Sequence, residues 1–199
     1  YLSREGFARF CEAVTDALER YHEERPLRDA LARLELRGRL KTVDGVLNRA
    51  LETLVEAGEV VARAPGYSRA GFEVQLDESL EDFSARLLAD YETEGLNPLA
   101  RGQALERARG EVSAERALDW FLTLCDRGEL VPLNEDVALH AQSYTAAQEA
   151  ARALCASGPF APSAFKDAIG SSRRVAIPLL ERFDATGFTK RQGEGRVLV

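Results

Sequence analysis

Apolar residues along this chain follow a spacing of three and four, and the same arrangement occurs three times. Each copy ends at a glycine, Gly58, Gly128 or Gly187, and a short extended run follows at once. This spacing puts the apolar side chains on one face of a helix, and glycine readily takes the left-handed conformation that ends a helix. The pattern therefore predicts three copies of an amphipathic helix followed by a strand.

The distance between the copies predicts three small domains. The glycines lie 70 and 59 residues apart in a chain of 199 residues, and self-similarity at a nearly constant period is the sign of a repeated structural unit. We predict winged-helix domains at residues 1–76, 77–140 and 141–199. No flexible tract separates them, so we expect three tandem winged-helix domains in an elongated arm. The fold class is mainly α with small β-hairpins, an α+β fold.

Each predicted domain ends in a β-hairpin, and the first domain begins with a helix. Ser3 is the expected N-cap of that helix, which reaches His22. Turn residues between extended runs mark the hairpins, and in the first domain the turn Ala64–Gly71 is long. The predicted strand pairs are Val60–Arg63 with Phe72–Leu76, Leu130–Leu133 with Val137–His140, and Phe188–Gln192 with Arg196–Val199.

The composition favours a folded protein that lies outside membranes. Hydrophobic residues make up 45% of the chain, and no stretch approaches the roughly 20 apolar residues needed to cross a bilayer. No signal peptide opens the chain, and three cysteines, an odd number, make a reducing cytoplasm the expected setting. The chain begins at Tyr1 and contains no methionine, which suggests a piece of a longer protein.

Neither catalysis nor metal binding is expected of this chain. The cysteines Cys11, Cys125 and Cys155 and the histidines His22 and His140 show no metal-ligand spacing. The thiols are predicted to be buried or inert, in a reducing compartment. Neither a phosphate-binding loop nor a zinc-protease or nucleophile-elbow motif occurs. We therefore predict a protein that is not an enzyme and holds no cofactor.

Charge is unevenly distributed along the chain. The net charge is −7, but from Ala141 onward eight lysine or arginine residues stand against five acidic ones, which gives +3. The rest of the chain therefore carries −10. Such asymmetry predicts that the third domain binds an anionic partner and that the first two domains do different work.

The cations of the third domain lie where a winged helix contacts nucleic acid, at the start of its recognition helix and on its hairpin. Ser171 or Ser172 is expected to cap that helix and leave first-turn amides for a phosphate oxygen. Arg173 and Arg174 follow, and guanidinium groups bind phosphate or guanine in bidentate fashion. Pro178 lacks an amide donor, so we expect a bend near Arg174. The candidate binding residues are Lys166, Ser171, Ser172, Arg173, Arg174, Lys190, Arg191, Gln192 and Arg196.

Plainer interpretations of these charges stay open. They are also what the solvated surface of a small domain carries, and Lys166 and Arg182 each have an acidic neighbour for a local ion pair. Trp120 lies in the apolar stripe of its helix, so we expect it in the core and not as a platform for a base. In the second domain we expect local ion pairs among Arg101, Arg107, Arg109, Arg116, Glu106, Glu111 and Glu115.

Several runs of residues carry a family resemblance. The most specific are Phe165-Lys166-Asp167, Gly170-Ser171-Ser172-Arg173-Arg174, Ala176-Ile177-Pro178-Leu179-Leu180-Glu181, Phe183-Asp184 and Gly187-Phe188-Thr189-Lys190-Arg191. They resemble the terminal winged helix of SelB, the family of bacterial selenocysteine-specific translation elongation factors. Three further runs are similar to the start of an earlier winged helix of the same family: Leu2-Ser3-Arg4-Glu5, His22-x-x-x-Pro26-Leu27-Arg28 and Glu35-Leu36-Arg37. The middle of the chain matches only in pattern, and the long turn Ala64–Gly71 departs from the resemblance.

The resemblance implies a truncated C-terminal arm. Members of the family have an N-terminal body that binds GTP, Mg and selenocysteyl-tRNA, followed by four winged helices. The last of these binds the SECIS stem-loop of the mRNA and so tethers the factor at a recoded UGA codon on the ribosome. The first two domains here would be a spacer and a ribosome-facing arm, in a monomer. The RNA-binding role falls on Ser172, Arg173, Arg174, Lys190, Arg191, Gln192 and Arg196, which charge placement also selects.

Two other functions fit parts of the sequence. A DNA-binding regulator would use the same helix in a major groove and would bind half-sites as a dimer, yet only one of the three domains is basic. A protein-binding winged-helix scaffold would suit the two acidic domains but leaves the terminal cations unexplained.

Overall fold

The computed structural model describes residues 3–199. Tyr1 and Leu2 lie outside the described residues. They are the first two residues of the first predicted domain, and Leu2 also begins the run Leu2-Ser3-Arg4-Glu5. Within that range the chain is mainly α-helical with small antiparallel sheets, which confirms the predicted fold class. It divides into two compact units. Unit 1 runs to Asp77 and also includes Asp119–Arg127, and unit 2 comprises Glu78–Leu118 and Gly128–Val199.

Unit 1 has the helices and the sheet of a winged helix. Its elements are α1 (Arg4–Glu24), β1 (Leu31–Ala32), α2 (Arg33–Leu40), α3 (Asp44–Glu56), β2 (Val60–Arg63) and β3 (Gly66–Arg69). The three strands form one antiparallel sheet in the order β1-β3-β2. Ser3 is the N-cap of α1, as predicted, and its hydroxyl accepts a hydrogen bond from the amide of Gly6 at 3.1 Å. The core of the unit is formed by Val14, Leu18, Leu36, Leu47, Leu51 and Leu54.

The first hairpin is tighter than the sequence suggested. The predicted second strand, Phe72–Leu76, is wrong, because β3 begins at Gly66 and only Ala64 and Pro65 separate it from β2. Gly66 explains the shift. A Cβ atom added there would clash with the backbone carbonyl of Leu31, so only glycine allows β1 to pair at this position.

The second half of helix α6 (Ala114–Asp126) belongs to unit 1. The hydroxyl of Thr123 donates a buried hydrogen bond to the carbonyl of Leu27 at 2.6 Å. The guanidinium of Arg127 binds both carboxylate oxygens of Asp29, at 2.6 and 3.1 Å. Trp120 is 2% exposed, which confirms that it is a core residue. Polar contacts and apolar burial thus both hold this half-helix in the unit.

Unit 2 contains the remaining elements. They are α4 (Glu78–Glu94), α5 (Arg101–Ala108), the first half of α6, β4 (Leu130–Pro132), β5 (Ala138–His140), α7 (Ala141–Cys155), α8 (Pro162–Ala168), α9 (Arg173–Ala185), β6 (Thr189–Gln192) and β7 (Gly195–Leu198). The strands form two antiparallel hairpins, β4-β5 and β6-β7, which confirms the second and third predicted hairpins. The three-domain division itself stays a prediction, since α6 contributes to both units.

The core around α9 fixes the position of the last hairpin. Phe165 and Phe183 are fully buried, with ring centroids 5.9 Å apart. Phe160 forms an isolated antiparallel bridge with Arg196 of β7, through two backbone hydrogen bonds of 3.0 and 2.9 Å. Gly187, at φ +71°, follows α9 and turns the chain into β6, as predicted. Helix, turn and hairpin therefore have a defined geometry around one apolar core.

All three cysteines are free and partly buried. Burial raises the pKa of the Cys11 thiol, and the negative charge of Glu59 raises it further. A raised pKa lowers the thiolate fraction, and the thiolate is the reactive form. The low reactivity of Cys11 stays a prediction, and the direction of this shift is in line with it.

Candidate nucleic-acid interface

The start of α9 is open to an anion. Ser172 is the N-cap, as predicted, but its side chain makes no capping hydrogen bond. The first turn contains no acidic residue and begins with Arg173 and Arg174. The N-terminus of a helix carries partial positive charge and unpaired amides. An anion that approaches here therefore meets a positive helix end and a cationic side chain.

Arg173 lies beside a small pocket. The pocket has a volume of about 330 Å³ and is lined by Pro162, Ser163, Lys166, Arg173, Ala176 and Ile177. Ile177 is 39% exposed, although it lies on the recognition helix. The arrangement combines apolar walls with two cations, Lys166 and Arg173.

The neighbouring arginine, Arg174, has a different environment. Its guanidinium donates a hydrogen bond to the carbonyl of Pro98, and the hydroxyl of Ser171 donates to the carbonyl of Leu96 at 2.5 Å. Asn97 in the same loop donates to the carbonyl of Gly170 at 3.2 Å. The sequence treated Ser171 and Arg174 as ligand-binding groups. In the structure both use a donor within unit 2, and their ligand-binding role stays a prediction.

The hairpin separates its cations into exposed and buried ones. Lys190, Arg191 and Gln192 of β6 are exposed, as predicted for binding residues. Arg196 of β7 is only 6% exposed. The ligand-binding role of Arg196 stays a prediction, and its guanidinium is buried against a carboxylate of α9.

That carboxylate belongs to Asp184. The Nε of Arg196 donates to Oδ2 and Oδ1 of Asp184 at 3.0 and 3.3 Å. The hydroxyl of Thr189 donates to Oδ1 at 2.7 Å. The Nε of Arg191 lies 3.7 Å from Oδ2, within ion-pair range but beyond a hydrogen bond. Asp184 thus connects α9 to both strands of the hairpin.

Local ion pairs account for several other cations. Lys166 pairs with Asp167 at 2.6 Å, in line with the plainer interpretation, although its side chain also lines the pocket. Arg109 pairs with Glu106 at 2.6 Å, as predicted. Arg107 instead binds two carboxylates of α4, those of Asp90 at 2.9 Å and Glu94 at 2.6 Å. Arg107 and Arg109 are therefore already neutralised by neighbouring carboxylates.

Sequence reasoning missed two features of this site. One is the loop Leu96–Pro98, whose carbonyls accept from Ser171 and Arg174 and which carried no local signal for this contact. The other is Asp184. The predicted strands end at Gln192 and begin again at Arg196, so they did not place Arg191 opposite Arg196 as the structure does, and the need for a counter-ion was not visible in the sequence.

No described helix is long and apolar enough to span a membrane. No group of three or more histidine, cysteine or acidic side chains in residues 3–199 is arranged to hold a metal ion.

A helical core, a recognition helix preceded by a short helix, and a terminal hairpin define a winged-helix protein. Residues 152–198 match the family model described as "Elongation factor SelB, winged helix", and residues 15–65 match a second model with the same description. These two segments are therefore similar to SelB winged-helix domains, which confirms the resemblance inferred from the sequence.

Three known proteins are similar to larger parts of the chain. The chain is 26% identical over 190 residues to the selenocysteine-specific elongation factor of Desulfomicrobium baculatum, an alignment that covers 92% of this chain but only 29% of that relative. The mRNA-binding domain of elongation factor SelB from E. coli, solved in complex with SECIS RNA, is 22% identical, with a TM-score of 0.49. That match covers 59% of this chain and 97% of the solved chain. A bacterial selenocysteine-specific elongation factor, EF-Sec, gives 17% identity and a TM-score of 0.49, over 96% of this chain and 30% of its own.

Proposed function

We propose that this chain is the C-terminal mRNA-binding arm of a selenocysteine-specific elongation factor and that its last winged helix binds an mRNA stem-loop of the SECIS type. One observation carries the proposal. Arg173 is exposed at the first turn of α9 beside a pocket of about 330 Å³, on the same winged helix as the exposed cations of β6.

The free charges of this surface favour a polyanion. Within the described part of the chain, Arg173 and Lys190 have no carboxylate at ion-pair distance, while Arg191 is 71% exposed and only loosely paired. An arginine that is already bound to a carboxylate contributes less binding free energy to a phosphate contact, because the phosphate must first displace the carboxylate. We therefore assign the main phosphate contacts to Arg173, Lys190 and Arg191, with Ser172 and Gln192 as neutral donors.

The pocket favours RNA with unstacked bases. Its walls include Pro162, Ala176 and Ile177, and its cations are Lys166 and Arg173. Bases in a hairpin loop are splayed out and can enter such a site, whereas the deep major groove of an A-form helix is closed to side chains. A winged-helix surface with one apolar pocket and flanking cations therefore suits a stem-loop better than a continuous duplex.

The remaining parts of the proposal concern the longer protein. The chain spans 29% of the length of its curated relative. We infer that GTP, Mg and selenocysteyl-tRNA bind in other parts of such a protein. In the present chain the first two winged helices would act as spacer and ribosome-facing arm, without a cofactor or a catalytic centre.

A competitive binding titration tests the proposal. A pool of RNA stem-loops with randomised loops is enriched on the full chain, and the selected hairpin is compared with duplex DNA of equal charge in a filter-binding assay. We expect the hairpin to bind more tightly, and log Kd to change with log salt by about 0.7 for each phosphate contact to single-stranded RNA. Equal affinities would remove the RNA assignment and favour the DNA-binding alternative. If the chain binds neither nucleic acid, the protein-binding scaffold is the alternative that stays open.

A further inference from the structure

Two arginines of the last hairpin lie directly opposite each other. Arg191 of β6 and Arg196 of β7 are cross-strand partners, and like charges in this arrangement destabilise a hairpin. A single carboxylate, that of Asp184, serves both guanidinium groups. Asp184 is therefore the counter-ion that allows two cations to occupy opposite positions.

The two arginines differ in their exposure and in their distance from Asp184. The side chain of Arg196 is 8% exposed and makes hydrogen bonds to Asp184, whereas that of Arg191 is 71% exposed and lies 3.7 Å from the same carboxylate. The backbone of Arg196 is also held by Phe160 on both its amide and its carbonyl. Arg196 is thus a fixed structural cation, and Arg191 stays available to a ligand.

We propose that Asp184 is a specificity-determining positioning residue for RNA binding. Through Arg196 and Thr189 it fixes the hairpin against α9, so that Lys190 and Arg191 meet the RNA in one geometry relative to Arg173. This inference rests on the proposed function. Asp184 itself does not bind RNA, since its carboxylate would repel phosphates and it acts only through its neighbours.

The sign of the effect separates positioning from simple electrostatics. Removal of a negative charge near an RNA-binding surface strengthens binding to any RNA, because the long-range repulsion falls. Loss of positioning instead weakens the preference for a folded hairpin over unstructured RNA of the same charge, because that preference depends on geometry. The ratio of the two dissociation constants therefore reports positioning, while the affinity for unstructured RNA reports charge.

The test compares two substitutions with the same charge change on the same helix. Asp184→Asn removes the carboxylate that contacts the hairpin, and Glu181→Gln removes an exposed carboxylate of α9. Both are made in the full chain, and dissociation constants are measured for the selected stem-loop and for unstructured RNA of equal length. We expect Asp184→Asn to lower the discrimination ratio by about tenfold or more, with Glu181→Gln close to the unsubstituted protein.

A second, neutral substitution covers the case in which Asp184→Asn does not fold. Thr189→Val is nearly isosteric and removes only the 2.7 Å hydrogen bond to Asp184. Its control is Thr186→Val, because the hydroxyl of Thr186 donates to backbone carbonyls of α9 and not to Asp184. Circular dichroism confirms the fold of each variant. Thr189→Val is expected to lower the discrimination ratio in the same direction, and Thr186→Val is expected to leave it unchanged.

Each outcome decides the inference. A discrimination ratio that is unchanged in both Asp184→Asn and Thr189→Val, or that changes equally in Glu181→Gln, overturns the positioning role and leaves the proposed function intact. If the unsubstituted protein itself does not prefer the hairpin, the proposed function fails and this inference fails with it.

Discussion

Thr123 and Leu27 are joined by a buried hydrogen bond of 2.6 Å, although 96 residues of chain separate them. The carbonyl of Leu27 and the hydroxyl of Thr123 are both shielded from water, since Leu27 is 5% and Thr123 0% exposed. A buried acceptor that loses its donor pays the desolvation cost without compensation. This bond therefore holds the second half of α6 in unit 1 through a polar contact.

Replacement of the hydroxyl tests this contact. Thr123→Val keeps the shape of the side chain but leaves the Leu27 carbonyl unpaired, so we expect a loss of about 1–3 kcal/mol in the free energy of unfolding. The matched control is Thr53→Val, because the hydroxyl of Thr53 bonds to the carbonyl of Arg49 at an exposed position. Urea denaturation measures both variants. Equal losses in the two would contradict the assignment.

A glycine-to-alanine pair tests the first hairpin. Gly66→Ala would place a Cβ against the carbonyl of Leu31, so β1 and β3 must separate, and we expect a loss of about 2 kcal/mol or more. Gly45→Ala has open space around its Cβ and lies within α3, where alanine is favoured over glycine by about 0.5–1 kcal/mol. The two substitutions should therefore shift the thermal midpoint in opposite directions. A tolerated Gly66→Ala would refute the close approach of the strands.

His22 gives unit 1 a dependence on pH. The ring stacks on Phe72 with centroids 3.6 Å apart, and its Nε2 accepts a hydrogen bond from the amide of Arg69 at 3.3 Å. Burial lowers the pKa of His22 from its ordinary value of 6.5. Between the lowered pKa and 6.5 the unfolded chain therefore binds more protons than the folded one. The contribution of neutral His22 to stability is complete above about pH 6.5 and falls as the pH drops below that value.

The measurement is a comparison of unfolding free energies at about pH 7.5 and about pH 5.5. We expect the unsubstituted chain to lose stability on acidification by more than His22→Gln, which has no titratable group at this position. His140 is present in both proteins, so its contribution cancels in the difference. An identical pH dependence in the two would show that His22 does not titrate in this way.

Arg173 should dominate RNA binding among the arginines of α9. If it reaches phosphate or a base edge, Arg173→Gln weakens binding to the selected stem-loop by about 1–3 kcal/mol and lowers the salt slope by about 0.7. Arg182→Gln has the same charge change toward the other end of α9 and is the control. Filter binding at several salt concentrations measures both. Similar losses in the two variants would mean that only overall charge matters.

Local patterns in the sequence predicted much of the fold. The positions of Gly128 and Gly187, the cap at Ser3, and the last two hairpins follow from periodicity and turn residues, which act over a few neighbouring positions. The prediction of the first hairpin failed in its second strand. The position of that strand depends on the approach of Gly66 to Leu31, a contact between distant parts of the chain. The segment Phe72–Leu76 was predicted to be a strand, but Phe72 instead stacks on His22.

In the candidate site, too, local features were predicted from the sequence and long-range contacts were not. The location of Arg173, Lys190 and Arg191 on exposed positions followed from their place in the helix and hairpin pattern. The capture of Arg174 by the carbonyl of Pro98, 76 residues earlier, had no local signal. The burial of Arg196 depends on Asp184, twelve residues away on a different element. Residues with long-range partners therefore escaped prediction, and residues that face solvent did not.

The shared membership of α6 has a practical consequence for dissection of the protein. A fragment cut at the boundary suggested by the repeats, near Asp77, would lack Thr123 and Arg127 and would leave the carboxylate of Asp29 and the carbonyl of Leu27 stripped of their donors. We therefore expect a fragment that ends near Asp77 to be less stable than one that keeps these contacts. The segment that supplies these donors is Asp119–Arg127, which belongs to unit 1 although it follows Asp77 by more than 40 residues.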